Sequence, residues 1–243
     1  MKKKFQILAA TFITVAFISC SKEKKDMAET NYLDELASAS NVDKGGGSSF
    51  NPGRRLEFWF PFNGNIDEAN GKPVDAVATT EGADAYTEDR FGTANSAIKF
   101  DGSYGITLTG MRMSTNMSVS AWVKYELANT SFYFFYAPLS LGQMNDKFSG
   151  SVSTPSTTGV ISNSMDAGWH HLVATYDGSY IKFYVDGNFV GEQYNGGSIN
   201  GGADGTFWVS YAGPNSFWNG CIDDLRFYTR TLKPNEVQSL YNL

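Results

Sequence analysis

Two carboxylates about 5–5.5 Å apart can hydrolyse a glycosidic bond with retention, one as acid and one as nucleophile. The chain offers Asp223-Asp224 and a looser set, Glu81, Asp84 and Glu88. Neighbours on a strand point to opposite faces, so Asp223 and Asp224 cannot act together unless a bulge intervenes. Glu81, Asp84 and Glu88 have the wrong spacing and lie in a Gly/Ala/Thr-rich stretch that reads as loop. His170 and His171, the only histidines, also fall on opposite faces of one strand. No Cys or Glu cluster stands beside them to complete a zinc or catalytic site, so packing plus one hydrogen bond is expected for both. No enzyme activity is predicted.

Sugar recognition needs exposed aromatic platforms beside amides and carboxylates. Tyr211, Phe217 and Trp218, with Asn215 in the loop between them, are the first candidates. Trp208 and the cluster Phe132–Tyr136 are the second. Trp218 precedes Asn219-Gly220, which reads as a turn, a position compatible with an exposed ring. The competing role for each ring is core filling, and for the Tyr211–Trp218 loop the two remain open.

The elements that must position these residues are strands. Charged residues make up only 18% of the chain and there are 25 glycines, a turn-rich β composition. Leu56, Phe58, Phe60 and Phe62 alternate with Glu57, Trp59 and Pro61, the period of a strand with one buried face. Further strands are predicted at 97–100, 106–108, 118–124, 132–141, 159–161, 170–176, 181–185, 207–210 and 222–228. Asn-Gly and Asp-Gly pairs between them accept the positive φ of tight hairpins. About ten short strands predict an all-β, two-sheet antiparallel sandwich. Pro234, followed by Val237, Leu240 and Tyr241 at i, i+3, i+4, predicts one short C-terminal helix.

The N-terminus reads as an address. Lys2-Lys3-Lys4 is followed by an apolar run, Phe5–Ile18, too short for a membrane span, and then Ser19-Cys20. This is the order of a bacterial lipoprotein signal: residues 1–19 are expected to be removed and Cys20 lipidated. Residues 20–54 are polar and form the expected tether; the 34 residues after Cys20 could extend roughly 110 Å at about 3.3 Å per residue. Residues 55–243 form the expected folded domain. With Cys20 consumed, Cys221 has no disulfide partner and reads as a small apolar strand residue. A net charge of −6 disfavours nucleic acid and anionic lipid heads, leaving membrane contact to the anchor. Ser21 in place of Asp after the lipidated Cys points to the outer membrane, periplasmic or surface-facing.

Several segments together resemble the laminin-G-like jelly roll of the concanavalin A-like lectin/glucanase superfamily. They are Phe62–Gly71, Asp89-Arg90-Phe91-Gly92 with Ala97–Gly102, Val119–Lys124, Trp169–Gly178 with Lys182–Gly187, and Gly220–Tyr228, in the family's order across 56–243. The resemblance implies two antiparallel sheets, often a calcium ion at the rim, and binding of glycans or proteins. The superfamily's glycosidases usually carry Glu-x-Asp-x-Glu or a near variant on one strand, and this chain has none. Strand alternation places Asp223 with Leu225 and Phe227 on the core side, where a carboxylate needs a cation or several donors. Because the family's first and last strands lie close together, Asp67 and Asn63 become its partners in a possible structural calcium site. Capping of backbone N–H groups by Asp223 is the equal alternative. The expected function is non-catalytic carbohydrate binding, with protein–protein adhesion as the alternative and a hydrolase with an atypical acid pair behind both.

Overall fold

The computed structural model describes residues 50–79, 85–126, 131–154, 156–197, 199, 205–210 and 217–243. The strands in chain order are β1 (Leu56–Phe60), β2 (Asp75–Ala78), β3 (Ala85–Thr87), β4 (Ala97–Asp101), β5 (Ile106–Thr109), β6 (Met117–Tyr125), β7 (Ser131–Tyr136) and β8 (Leu139–Met144). They continue as β9 (Lys147–Ser153), β10 (Thr157–Ser164), β11 (His170–Tyr176), β12 (Tyr180–Val185), β13 (Asn188–Tyr194), β14 (Phe207–Val209) and β15 (Asn219–Tyr228), before helix α1 (Pro234–Tyr241).

They form two antiparallel sheets. The eight-stranded sheet runs β13-β12-β11-β6-β15-β4-β3, with β1 also on β15; the seven-stranded sheet runs β10-β9-β8-β7-β14-β5-β2. Side chains alternate across each strand. Phe58, Phe60, Val119, Ala121, Ile222 and Phe227 of the first sheet meet Ile106, Leu108, Leu141, Phe148, Phe207 and Val209 of the second in one core. The sandwich and the C-terminal helix expected from the sequence are both present.

Several elements differ from expectation. The run 132–141 is two strands, because the turn at Ala137-Pro138 separates β7 from β8. Strands β2, β3, β9 and β13 were not anticipated: β13 is exposed almost throughout and β9 is largely Ser and Gly, so neither shows the hydrophobic alternation that marks a strand. Asn63-Gly64, Asn70-Gly71, Asp101-Gly102, Asp177-Gly178 and Asp186-Gly187 each have glycine at positive φ, as tight turns require. Asn219-Gly220 instead opens β15. A Cβ at Gly220 would lie 2.3 Å from the Trp218 ring, so this glycine makes room for the indole.

Helix α1 lies on the outer face of the eight-stranded sheet. Val237 and Leu240 are buried, and the Tyr241 ring stacks on Trp122 at 5.6 Å. The Glu236 carboxylate accepts the Lys233 N–H and an Arg230 N–H, each at 2.7 Å, fixing the helix start. Among the described residues no helix is long and apolar enough to cross a membrane.

An open aromatic face and a closed carboxylate clamp

The outer face of the seven-stranded sheet bears exposed apolar side chains. It carries Val77, Tyr136, Met144 and Ile161, all exposed. Tyr133 and Tyr136 both belong to it, although positions three apart on a regular strand face opposite ways. The β7–β8 register shifts between Tyr133 and Phe135. The extra residue lets Phe134 and Phe135 both enter the core and returns Tyr136 to the outer face. The Tyr133 and Tyr136 rings then stand 5.3 Å apart, and Trp208, cross-strand from Tyr136, lies 5.8 Å beyond. Beside this row Gly142, Ser149, Ser151 and Gly159, from β8, β9 and β10, make a low floor.

The outer face of the eight-stranded sheet holds the acidic pair. A bulge shifts the β15–β6 register between Asp223 and Arg226, with Asp224 at φ +52°. Asp223 therefore lies opposite Trp122 on the outer face rather than with Leu225 on the core side, which corrects the alternation expected from the sequence. The bulge also brings the two neighbouring carboxylates onto one guanidinium. Arg90 Nη1 meets Asp223 Oδ2 at 2.5 Å and Nη2 meets Asp224 Oδ2 at 2.9 Å. Asp224 Oδ1 accepts the Trp59 indole N–H at 2.7 Å, with Arg226 at 3.3 Å. Arg90 stacks on Phe91 and Trp122, and Arg226 on Trp59. Burial and the neighbouring Asp224 charge raise the Asp223 carboxyl, against the pull of Arg90. Burial also pushes Asp224 upward, but Arg226, Arg90 and the Trp59 hydrogen bond overcome it and hold it low. Both acids are closed in by their partners, and neither faces open solvent as a glycosidic acid or nucleophile must.

This geometry removes the expected calcium set. Asp223 has a guanidinium as its cation, while Asn63 and Asp67 are exposed on their turn. The backbone-capping alternative also gives way to Arg90. The carboxylate organising that turn is Glu68, which accepts the backbone N–H groups of Trp59, Asn70 and Lys72. Among the described residues no three His, Cys, Asp or Glu side chains converge as metal ligands.

Trp218 is likewise not a platform. It is fully buried, packs on Phe134 at 5.2 Å, and donates its indole N–H to Gln143 Oε1 at 2.6 Å. Phe217 is half-buried; Tyr211 and Asn215, like Cys20, Glu81 and Asp84, lie outside the described residues. Cys221 is buried in β15, and burial pushes its thiol up to about 11, which makes it unreactive.

His170 and His171 do diverge. His170 packs on Phe148 and bonds Asp186 through Nδ1 at 2.9 Å; this bond raises its pKa, with burial opposing and Asp186 and Asp166 charges assisting. His171 bonds Ser120 Oγ at 2.9 Å, and burial, then the Arg226 and Arg90 charges, depress it to about 3. Their effects on stability are opposite in sign. The His170 contribution is full below about pH 6.5 and is lost as pH rises through its raised value. His171 costs stability as pH falls from about 6.5 towards 3. An NMR titration is expected to show the His170 ring titrating above 6.5 and the His171 ring unchanged down to about pH 3. A shared midpoint near 6.5 would contradict the assignment.

The family model described as "Concanavalin A-like lectin/glucanases superfamily" matches residues 100–238, more than half of the chain. The chain belongs to this superfamily. Solved structures of similar fold agree with its sandwich architecture. Domain 4 of AbnA, an extracellular arabinanase from Geobacillus stearothermophilus, solved in complex with arabinotriose, is 23% identical with a TM-score of 0.64, covering 77% of this chain and 98% of that one. The receptor-binding domain of botulinum neurotoxin mosaic serotype C/D is 14% identical with a TM-score of 0.64, over 79% of this chain and 51% of that one. The binding domain of botulinum neurotoxin DC, in complex with rat synaptotagmin II, is 13% identical with a TM-score of 0.62, over 77% and 51%. This superfamily member thus spans about half the length of the toxin domains. No curated protein matches it by sequence.

Proposed function

We propose that this protein is a non-catalytic carbohydrate-binding module on a lipid-anchored bacterial envelope protein. One observation carries the reading: the row Tyr133, Tyr136 and Trp208 on the outer face of the seven-stranded sheet, with Tyr136 37% exposed. Aromatic faces accept the C–H faces of sugar rings, and neighbouring polar groups supply orientation. The complex of the arabinanase domain with arabinotriose supports this use of the fold, and the toxin domain bound to synaptotagmin II supports the alternative, protein adhesion. Attachment rests on Cys20, and outer-membrane placement on Ser21 after it. Several acyl chains on one N-terminus hold a protein firmly to a bilayer.

The test is glycan retention of the detergent-solubilised full chain. Trp208→Ala is expected to weaken binding about 30-fold, the loss of about 2 kcal/mol typical of a central Trp anchor. Its melting temperature should move little, since the ring is only half-buried. Equal binding by the variant would remove the platform from the reading, and silence of the wild type across a glycan array would favour adhesion.

A further inference from the structure

We infer that the ligand is an uncharged, extended oligosaccharide lying across the strands of the seven-stranded sheet, stacked at one end on Tyr136 and Trp208 and held at the other by the hydroxyls of Ser149 and Ser151. This rests on the glycan-binding reading above and specifies its ligand. Ser149 and Ser151 are 8% and 7% exposed, yet neither hydroxyl has a hydrogen-bond partner among the described residues. Neither oxygen is among the buried atoms shut off from solvent, and a hydroxyl that reaches solvent without a protein partner offers a ligand one donor and two acceptor positions. Alternation fixes where these two point. Phe148, Gly150 and Val152 face the core, where a Cβ at Gly150 would strike Phe183 at 2.7 Å, so Ser149 and Ser151 face outward.

The floor around the serines is kept low. Ser149 pairs with Gly142 on one side, and Ser151 pairs with Gly159 on the other. A Cβ at Gly159 would lie 3.0 Å from the Ser151 Cβ and crowd that hydroxyl. From β9, which carries the serines, to β14, which carries Trp208, the sheet steps through β8 and β7. Three steps of about 4.8 Å place the two contact zones about 14 Å apart, longer than one sugar ring. The ligand must therefore be an oligomer running perpendicular to the strands.

Charge decides its class. The described charged side chains of this face are peripheral: Asp75 on the far edge strand β2, and Lys147 at the start of β9. Among the described residues no cation stands between the serines and Trp208 to pair with a carboxylate, and burying an unpaired one is costly. Neutral hydroxyl-rich chains fit this strip, and uronate polymers do not.

Affinity electrophoresis of the solubilised full chain tests this, using linear arabinan, mixed-linkage β-glucan and galactomannan against polygalacturonate and alginate. At least one neutral polymer should retard the protein, and neither uronate should. Affinity should rise from monosaccharide to trisaccharide of the retained polymer. Ser149→Ala with Ser151→Ala should weaken binding about tenfold at an unchanged melting temperature, the loss of two ordinary hydrogen bonds. Binding that depends on Trp208 but ignores the serine pair overturns the serine strip and leaves the general reading standing. A preference for uronates overturns the ligand class, and a lowered melting temperature of the serine variant assigns these residues to structure. Silence with every polymer overturns both readings.

Discussion

Arg90→Met is expected to lower stability at pH 7 by about 3–5 kcal/mol, the usual result of leaving buried charges without their partner. For a domain of this size that is about 10 °C in melting temperature. Among the described residues Arg90 is the only cation bonded to Asp223 and one of two bonded to Asp224. Without it both acids are pushed up, and the folded state binds more protons than the unfolded chain above pH 3.8. The deficit should therefore be largest at neutral pH and shrink as pH falls towards 4. Urea unfolding of the two proteins at pH 7 and pH 4 measures this directly. A constant deficit across that range would mean the lost interaction is packing against Phe91 and Trp122 rather than charge.

Trp218→Ala should cost a similar amount, about 3–5 kcal/mol, for a different reason. A large indole leaves a cavity that the surrounding β strands cannot close. Its N–H also leaves Gln143 Oε1 without that donor. The loss should be nearly independent of pH, unlike that of Arg90→Met. Denaturant unfolding at both pH values separates the two variants. If Trp218 were an exposed platform its replacement would cost under about 0.5 kcal/mol and would reduce glycan binding instead.

The contrast between Trp208 and Trp218 marks where sequence reasoning reached its limit. Both lie near turn-forming residues, and both were plausible sugar platforms. Trp218 is buried because β15 begins one residue after it and Gly220 opens space beneath the ring. Arg90 was visible only as part of a weak Asp-Arg-Phe-Gly motif, since nothing nearby in sequence identifies its partners 133 residues away. Ser149 and Ser151 left no signal, because a serine- and glycine-rich strand has no hydrophobic alternation to report it.

The sequence by itself determined the sandwich, the hairpin turns, the helix at the C-terminus and the superfamily. Each follows from local periods, from glycine at positive φ, or from motifs in a fixed order. Tertiary structure decided which face several key side chains occupy. One extra residue at Phe134 places Tyr133 and Tyr136 together outside, and one at Asp224 places two adjacent acids on a single arginine. A side-chain period of two turns one inserted residue into a change of face. Bulges are set by what packs across the sheet and beneath it, and the local sequence does not mark them.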